Sequence, residues 1–353
     1  MNKIVPWLKE RYDVAPIVDF MRKKKVPMGP GWYWSYMGGV ALFLFVVQVC
    51  TGILLLMYYR PGINDSFESV QFIVSQVQYG WLIRSLHSWS ANFMMLAVFL
   101  HMFSVFFQRA YAKPRELTWV SGVILLGLSM FFGFSGYLLP WNELAFFATK
   151  VGTEIMGAIP LVGNAMLILL RGGDEVTGAT LPRFFGIHVA ILPLVFIVFL
   201  SLHLAFIQLQ GMHESRSFKN LPEEKKRFMP FFPHFILRDM ILWLLVLNVV
   251  AAFAVFYPWE LGTKANLFAP APATIRPEWF FMFMFQTLKF IPAHILFIEG
   301  EVLGILGFLV AFLVWLSVPF SDRSSDDKRY RLIKGIGVVI IVYMTIMTVW
   351  GYL

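Results

Sequence analysis

The sequence predicts an all-α membrane protein with seven transmembrane helices behind an N-terminal interfacial helix. Three observations lead there. The 353 residues are 58% hydrophobic and only 14% charged, the composition of a membrane chain and not of a soluble one. Seven apolar stretches reach the ~20 residues that a bilayer core requires; they run 33–58, 80–108, 117–139, 184–209, 238–257, 299–319 and 333–352. Basic residues also crowd alternate connections between these stretches, as an odd number of crossings demands.

Before the first span, Trp7, Leu8, Ile17, Val18 and Phe20 lie among lysines and arginines, a pattern that suits a helix in the membrane interface. Residues 1–31 have no apolar core, so no cleavable signal peptide is expected. Lys3, Lys9, Arg11, Arg22, Lys23, Lys24 and Lys25 make this tail basic, and the connections 109–116, 210–238 and 320–334 are basic as well. By the positive-inside rule these face the cytoplasm, the n side, and the C-terminus faces the p side. Topology thus accounts for the net charge of +8, and no nucleic-acid partner is implied. A bacterial plasma membrane is the simplest setting.

Three segments follow from these patterns: an n-side surface segment 1–31, a four-span domain 32–212 and a three-span domain 213–353. The polar stretch 213–226, with Pro222, Glu223, Glu224 and Lys225, marks the second boundary. The p-side connection 140–183 contains Ile159-Pro160 and Gly172-Gly173, which predicts short surface helices. Connections of that length are commonly functional. A second p-side connection, 258–298, is rich in proline and aromatic residues. The single cysteine, Cys50, forms no internal disulfide, and no Cys-x-x-Cys-His is present for covalent haem attachment.

His87 and His101 are 14 residues apart in the second span, and His188 and His203 are 15 apart in the fourth. At 1.5 Å rise per residue each pair is separated by ~21–22 Å, on roughly one helix face. A lone membrane histidine is commonly a packed polar residue. Four at matched spacing predict two stacked bis-histidine sites in a four-helix bundle, which suit the iron of two noncovalent b-type haems. His87 and His188 begin their spans at the p side, so they should share one haem, and His101 and His203 the other. Pro193 lies between His188 and His203 and offers a place to absorb the extra residue.

Gly38 and Gly52 in the first span, and Gly122 and Gly136 in the third, repeat the 14-residue step. A flat macrocycle needs positions without a side chain, although glycine also serves plain helix packing in membranes. Arg84 lies one turn from His87 and either pairs with a haem propionate or snorkels to the interface; Arg183, at the entrance of the fourth span, has the same two readings. In the second long p-side connection, Pro277-Glu278-Trp279-Phe280 sets a carboxylate among apolar groups. Such a carboxylate has a raised pKa and can accept a proton from a quinol hydroxyl, unless it is simply solvated.

These features resemble the cytochrome b subunit of quinol:cytochrome c reductases, the cytochrome bc and bf complexes. The resemblance rests on the histidine pairs, the glycine steps, Lys113-Pro114-Arg115-Glu116-Leu117-Thr118-Trp119, Ala158-Ile159-Pro160-Leu161-Val162-Gly163 and Pro277-Glu278-Trp279. The 15-residue histidine step and seven spans are similar to the short bf form, whose two halves are separate proteins; here they are fused near residues 213–230. The resemblance implies quinol oxidation between Ala158–Gly163 and Pro277–Phe280, with Pro277, Glu278 and Trp279 as catalytic-site residues and Glu278 taking a proton. One electron then passes to a Rieske iron–sulfur protein and on to a mono- or multihaem c-type cytochrome. The other crosses the two haems to an n-side quinone site, and protons are translocated. A homodimeric complex drawing on the quinone pool is also implied.

The chain departs from that pattern in several places. Phe280 replaces the usual tyrosine and lacks its hydroxyl. Tyr36 stands where bf-type relatives carry the cysteine that binds an additional n-side haem, so a thioether is not expected there, while a noncovalent haem stays open. Gln208 and Leu209 replace basic residues, and Ser88 and Ser104 replace arginines. Asp19, His213 and Arg216 are the polar n-side groups nearest the expected quinone site. A different function class is a dihaem anchor that wires a quinone pool to a soluble oxidoreductase, which needs neither Pro-Glu-Trp nor a Rieske partner. A passive transporter or scaffold, with packing histidines, is a third.

Overall fold

The computed structural model describes residues 4–13, 15–272, 275–322 and 327–353. Among them, seven helices are long and apolar enough to cross a membrane: Trp32–Leu56, Gly80–Phe107, Glu116–Leu138, Thr180–Gln210, Phe231–Phe256, Gly300–Ser321 and Tyr330–Tyr352. Each is apolar around most of its circumference, as a lipid-facing helix is. Three begin three or more residues earlier than hydropathy predicts, the seventh at Tyr330 among them. The fourth opens at Thr180 because the Thr180 hydroxyl accepts from the Thr177 backbone N–H at 2.9 Å and organises the entry turn. The fifth opens at Phe231 with a kink at Phe232, whose backbone is non-helical, and regular helix runs from Ile236 despite Arg238 and Asp239.

At the surface, α1 (Ile4–Arg11) and α2 (Ala15–Lys23) lead into a short strand β1 (Lys25–Pro27). The side chains of Leu8, Ile17, Val18 and Phe20, and all of Lys3, fall outside the described set. Strand β1 pairs antiparallel with β2 (Phe228–Pro230), Val26 facing Met229. This clamps the N-terminal segment to the chain entering the fifth span.

The first bundle consists of α3 (Tyr36–Leu56), α5 (Gly80–Phe107), α6 (Glu116–Leu138) and α10 (Leu192–Gln210), with α4 (Ser66–Ser75) between the first two. A core of Val40, Leu44 and Phe45 from α3, Met94 and Ala97 from α5, Leu125 from α6 and Phe196 from α10 ties all four together. Val250 of α12 (Ile236–Phe256) joins the same core. The 140–183 connection does fold into short helices, α7 (Glu143–Gly157), α8 (Gly163–Arg171) and α9 (Thr180–Gly186). Arg171 is buried there; it donates to the Thr153 hydroxyl at 2.7 Å and to the carbonyls of Asp174 and Lys150.

From α9 the chain passes through a π-type turn, Ile187–Ile191, in which the Leu192 N–H reaches the Ile187 carbonyl. Pro193 follows directly and cannot donate a backbone hydrogen bond. The wider turn absorbs one residue, which is how a 15-residue step in α10 matches the 14-residue step in α5.

The last three spans, α12, α14 (Gly300–Ser321) and α15 (Asp327–Tyr352), join the bundle at both ends, with α11 (Arg216–Lys219) in the connection before them and α13 (Trp279–Phe290) between. At the His101 end, Asp322 accepts from Arg109 at 2.7 and 2.8 Å and from the Tyr111 hydroxyl at 2.7 Å, and its side chain is 1% exposed. Replacing Arg109 by methionine leaves this buried carboxylate with only a hydroxyl. We expect a loss of about 3–5 kcal/mol, read as a lower unfolding midpoint in detergent. An Arg109→Met/Asp322→Leu double variant should recover most of it, because no buried charge is then stranded.

Candidate functional site

The helix bundle brings the four histidines together in the two expected pairs. The ring centroids of His87 and His188 lie 6.5 Å apart with planes at 74°. Those of His101 and His203 also lie 6.5 Å apart, at 84°. A metal bound by one nitrogen of each ring at ~2.0–2.1 Å puts the centroids about 6 Å apart, so each gap has room for one axially ligated ion.

The four glycines face these rings one to one. A Cβ built on Gly38 would lie 3.0 Å from His101 Cε1, and on Gly52 3.4 Å from His87 Cε1. On Gly122 it would lie 3.1 Å from His203 Cε1, and on Gly136 2.7 Å from His188 Cε1. The glycines of α3 therefore flank the histidines of α5, and those of α6 flank His203 of α10 and His188 of the turn before it. This is a cradle that larger side chains would fill. Among the described residues no group of three or more His, Cys, Asp or Glu gathers, so each pair offers two protein ligands. Two facing imidazoles beside glycine-cleared space are a donor set that fits a haem.

Arg84 is turned into the protein and does not snorkel to the interface. It is 6% exposed and its guanidinium donates to the backbone carbonyls of Trp259 and Glu260, the latter at 3.0 Å. It thus holds the 258–298 connection onto the His87 end of the bundle. Arg183 donates to the Ala179 carbonyl at 2.9 Å, within its own helix.

Pro277, Glu278 and Trp279 sit together where α13 begins, Glu278 occupying the residue before its first turn. The Trp279 indole donates to Asn92 Oδ1 at 2.9 Å, which anchors α13 to α5. Phe280 is 4% exposed and packs over Gly133, with Cζ 2.5 Å from where a Cβ would stand. The Glu278 carboxylate accepts no hydrogen bond among the described residues, and burial pushes its pKa up to about 7. Tyr137 and Tyr352 lie within electrostatic reach of it, two neighbours that sequence reasoning did not single out.

A cleft of about 490 Å³ opens between α7 and the far end of α13. Val151, Ile155, Phe285 and Leu288 form its apolar wall, and Lys289, His294 and Glu299 stand at its rim. Neither Ala158–Gly163 nor Pro277–Phe280 lines it; Ala158–Gly163 follows the end of α7 that borders the cleft, and Pro277–Phe280 lies at the opposite end of α13. It has the chemistry of a pocket for an apolar ring with polar substituents.

At the His101 end, four buried polar atoms lack a hydrogen-bond partner: Tyr36 hydroxyl, His101 Nδ1, Asp239 Oδ1 and Trp243 Nε1. A Cβ on Gly39 would come within 2.5 Å of Asp239, so the start of α3 and the start of α12 touch here. Orphaned polar atoms this dense signal a missing partner. The other polar groups expected near the quinone site are elsewhere. Asp19 is exposed on α2. His213 donates to the Gln108 carbonyl at 3.1 Å, and burial pushes its pKa down to about 4. Arg216 is exposed on α11. Asp239 went unnoticed in the sequence because a single acidic residue at the mouth of a span looks like an interfacial charge.

Comparison with known proteins agrees with this arrangement. Residues 23–211 match the family model "Cytochrome b/b6/petB", and residues 264–353 match "Cytochrome b(C-terminal)/b6/petD". The chain is 46% identical over 350 residues to the cytochrome bc complex cytochrome b subunit of Chlorobaculum thiosulfatiphilum, covering 98% of this chain and 80% of that protein. It is 43% identical over 212 residues to cytochrome b6 of Synechococcus sp. (strain JA-3-3Ab), covering 60% of this chain and 98% of that one. Among solved structures, a chain of the hyperthermophilic respiratory Complex III superposes with a TM-score of 0.87 at 31% identity, over 99% of this chain and 91% of that chain. The seven spans, the facing histidine pairs and these matches together place the chain in the cytochrome b/b6 family, as the cytochrome b subunit of a bc-type quinol oxidoreductase complex with its b6-like and petD-like parts in one polypeptide.

Proposed function

We propose that this subunit carries out bifurcated quinol oxidation on the p side and quinone reduction on the n side, coupled to proton translocation. The observation that carries the reading is the one-to-one match of four glycines to four histidines in two facing pairs. His87 and His188 would hold the p-side haem, and His101 and His203 the n-side one. When bound, these haems supply one-electron carriers on either half of the membrane. Gly52 and Gly136 keep the p-side plane clear, Gly38 and Gly122 the n-side plane.

The quinol ring binds between Ala158–Gly163 and Pro277–Phe280, beside the Glu278 carboxyl at the start of α13. Glu278, with its raised pKa, takes a proton from a quinol hydroxyl, and Tyr137 and Tyr352 shape its surroundings. Pro277 and Trp279 fix the start of α13 and so the direction of that carboxylate. One electron leaves to a Rieske iron–sulfur partner and then to a c-type cytochrome. The other crosses to a quinone at the n-side cluster, where Asp239, Tyr36 and Trp243 offer unused polar atoms to its oxygens. Arg84 serves by holding the p-side loop over the bundle. The basic tail and connections support a cytoplasmic N-terminus for a subunit of a homodimeric complex.

A potentiometric haem titration with iron–sulfur EPR on one purified complex tests this. Two b-type haems at separate potentials with a Rieske signal are expected. Two haems without any Rieske signal in the intact complex would instead identify an electron-wire anchor.

A further inference from the structure

Three of the four histidines rest on a hydroxyl, and the fourth does not. Thr51 Oγ1 lies 2.9 Å from His87 Nδ1, Ser121 Oγ 3.0 Å from His203 Nδ1 and Ser135 Oγ 3.0 Å from His188 Nδ1. Each hydroxyl sits one residue before a cradle glycine: Thr51-Gly52, Ser121-Gly122 and Ser135-Gly136. The remaining cradle reads Met37-Gly38, and His101 Nδ1 is buried with no partner.

The hydroxyl protons are already committed. Thr51 donates to the Val47 carbonyl at 2.7 Å, Ser121 to Thr118 at 3.0 Å and Ser135 to Phe132 at 3.2 Å. Each hydroxyl therefore presents a lone pair to the imidazole, so Nδ1 must carry the ring proton. Nε2 is then left with its lone pair for a metal. A hydrogen bond donated from the far nitrogen makes a histidine a more basic ligand. A more basic axial ligand favours the oxidised iron and lowers its potential.

We propose that Thr51, Ser121 and Ser135 are positioning residues that set the tautomer and basicity of three haem ligands, and that Met37, by withholding a hydroxyl from His101, raises the potential of the His101/His203 haem. The inference rests on the haem placement proposed above. Both ligands of the His87/His188 site are polarised, and only one ligand of the other site. Electrons are thereby drawn from the first site towards the second, the direction in which quinol oxidation must send them.

The test is a redox titration of both haems in the purified complex, with EPR of the ferric haems to separate the two sites. Thr51→Val keeps the shape but removes the acceptor. It should raise the potential of the His87/His188 haem by roughly tenfold in the reduction equilibrium, ~59 mV for one electron. Met37→Thr supplies an acceptor and should lower the other haem's potential by a similar amount. Thr51→Ser should behave as the original protein. The proposal is overturned if both haems are present and neither potential moves in Thr51→Val and Met37→Thr. If Thr51→Val empties its site, the proposal stands when Thr51→Ser holds haem at the original potential, and falls when Thr51→Ser loses it too. An unsubstituted complex without two b-type haems would refute the haem placement itself, a separate failure.

Discussion

Replacing His203 by leucine is expected to abolish the n-side haem and leave the p-side haem in place. The two pairs are distinct sites about 21 Å apart along each helix. Between them the bundle is filled by Phe45 stacked on Phe196 with centroids at 4.4 Å, and by Phe132 edge-on to Phe196 at 5.7 Å. Loss of one ligand set therefore has no direct route to the other. Leucine fills a similar volume beside Gly122, so the bundle should fold, and a deficit confined to one haem would be chemical and not a collapse. The reduced-minus-oxidised spectrum should show a single b-type haem, and electrons from quinol should no longer reach the n-side quinone. The mirror experiment, His188→Leu, should remove the p-side haem. Retention of both haems in either variant would remove these residues as ligands.

Glu278→Gln should slow quinol oxidation by about 10²-fold, the lower end of what a positioned base contributes, with both haem spectra intact. The pH dependence gives the stronger signature. Burial holds the Glu278 carboxyl at about 7 instead of its ordinary 4.5. The carboxylate needed to accept a proton is scarce below pH 7, so the rate should rise with pH through about 7 and then level off. The glutamine variant should lose that rising limb. Stability should move the opposite way. A pKa raised in the folded state means that burial of this carboxyl costs nothing below its unfolded value. The cost then grows as pH rises from 4.5 to about 7, a span of 2.5 units, and is complete above that. At pH 8 the neutral glutamine should therefore stabilise the protein, by up to ~3 kcal/mol on the rule of 1.36 kcal/mol per unit. A variant with full turnover and an unchanged pH profile would exclude Glu278 as the proton acceptor.

Much of this architecture is decided along single helices, where physical distances follow directly from residue numbers. A rise of 1.5 Å per residue turns the 14- and 15-residue steps into a two-level bundle. The same step in Gly38/Gly52 and Gly122/Gly136 puts gaps at the same two depths. The seven spans follow from bilayer thickness alone. The contacts that only the tertiary structure decided join residues far apart in sequence, and they depend on how helices are rotated about their axes. Asp239 meets Gly39, 200 positions away (239 − 39). Arg84 finds the carbonyls of Trp259 and Glu260 instead of water. The Thr51, Ser121 and Ser135 hydroxyls acquire meaning only once α3 faces α5 and α6 faces α10. In the sequence each is an ordinary small polar residue in a membrane helix. Hydropathy sets how deep a residue lies in the membrane, but side-chain packing sets which neighbour it faces at that depth.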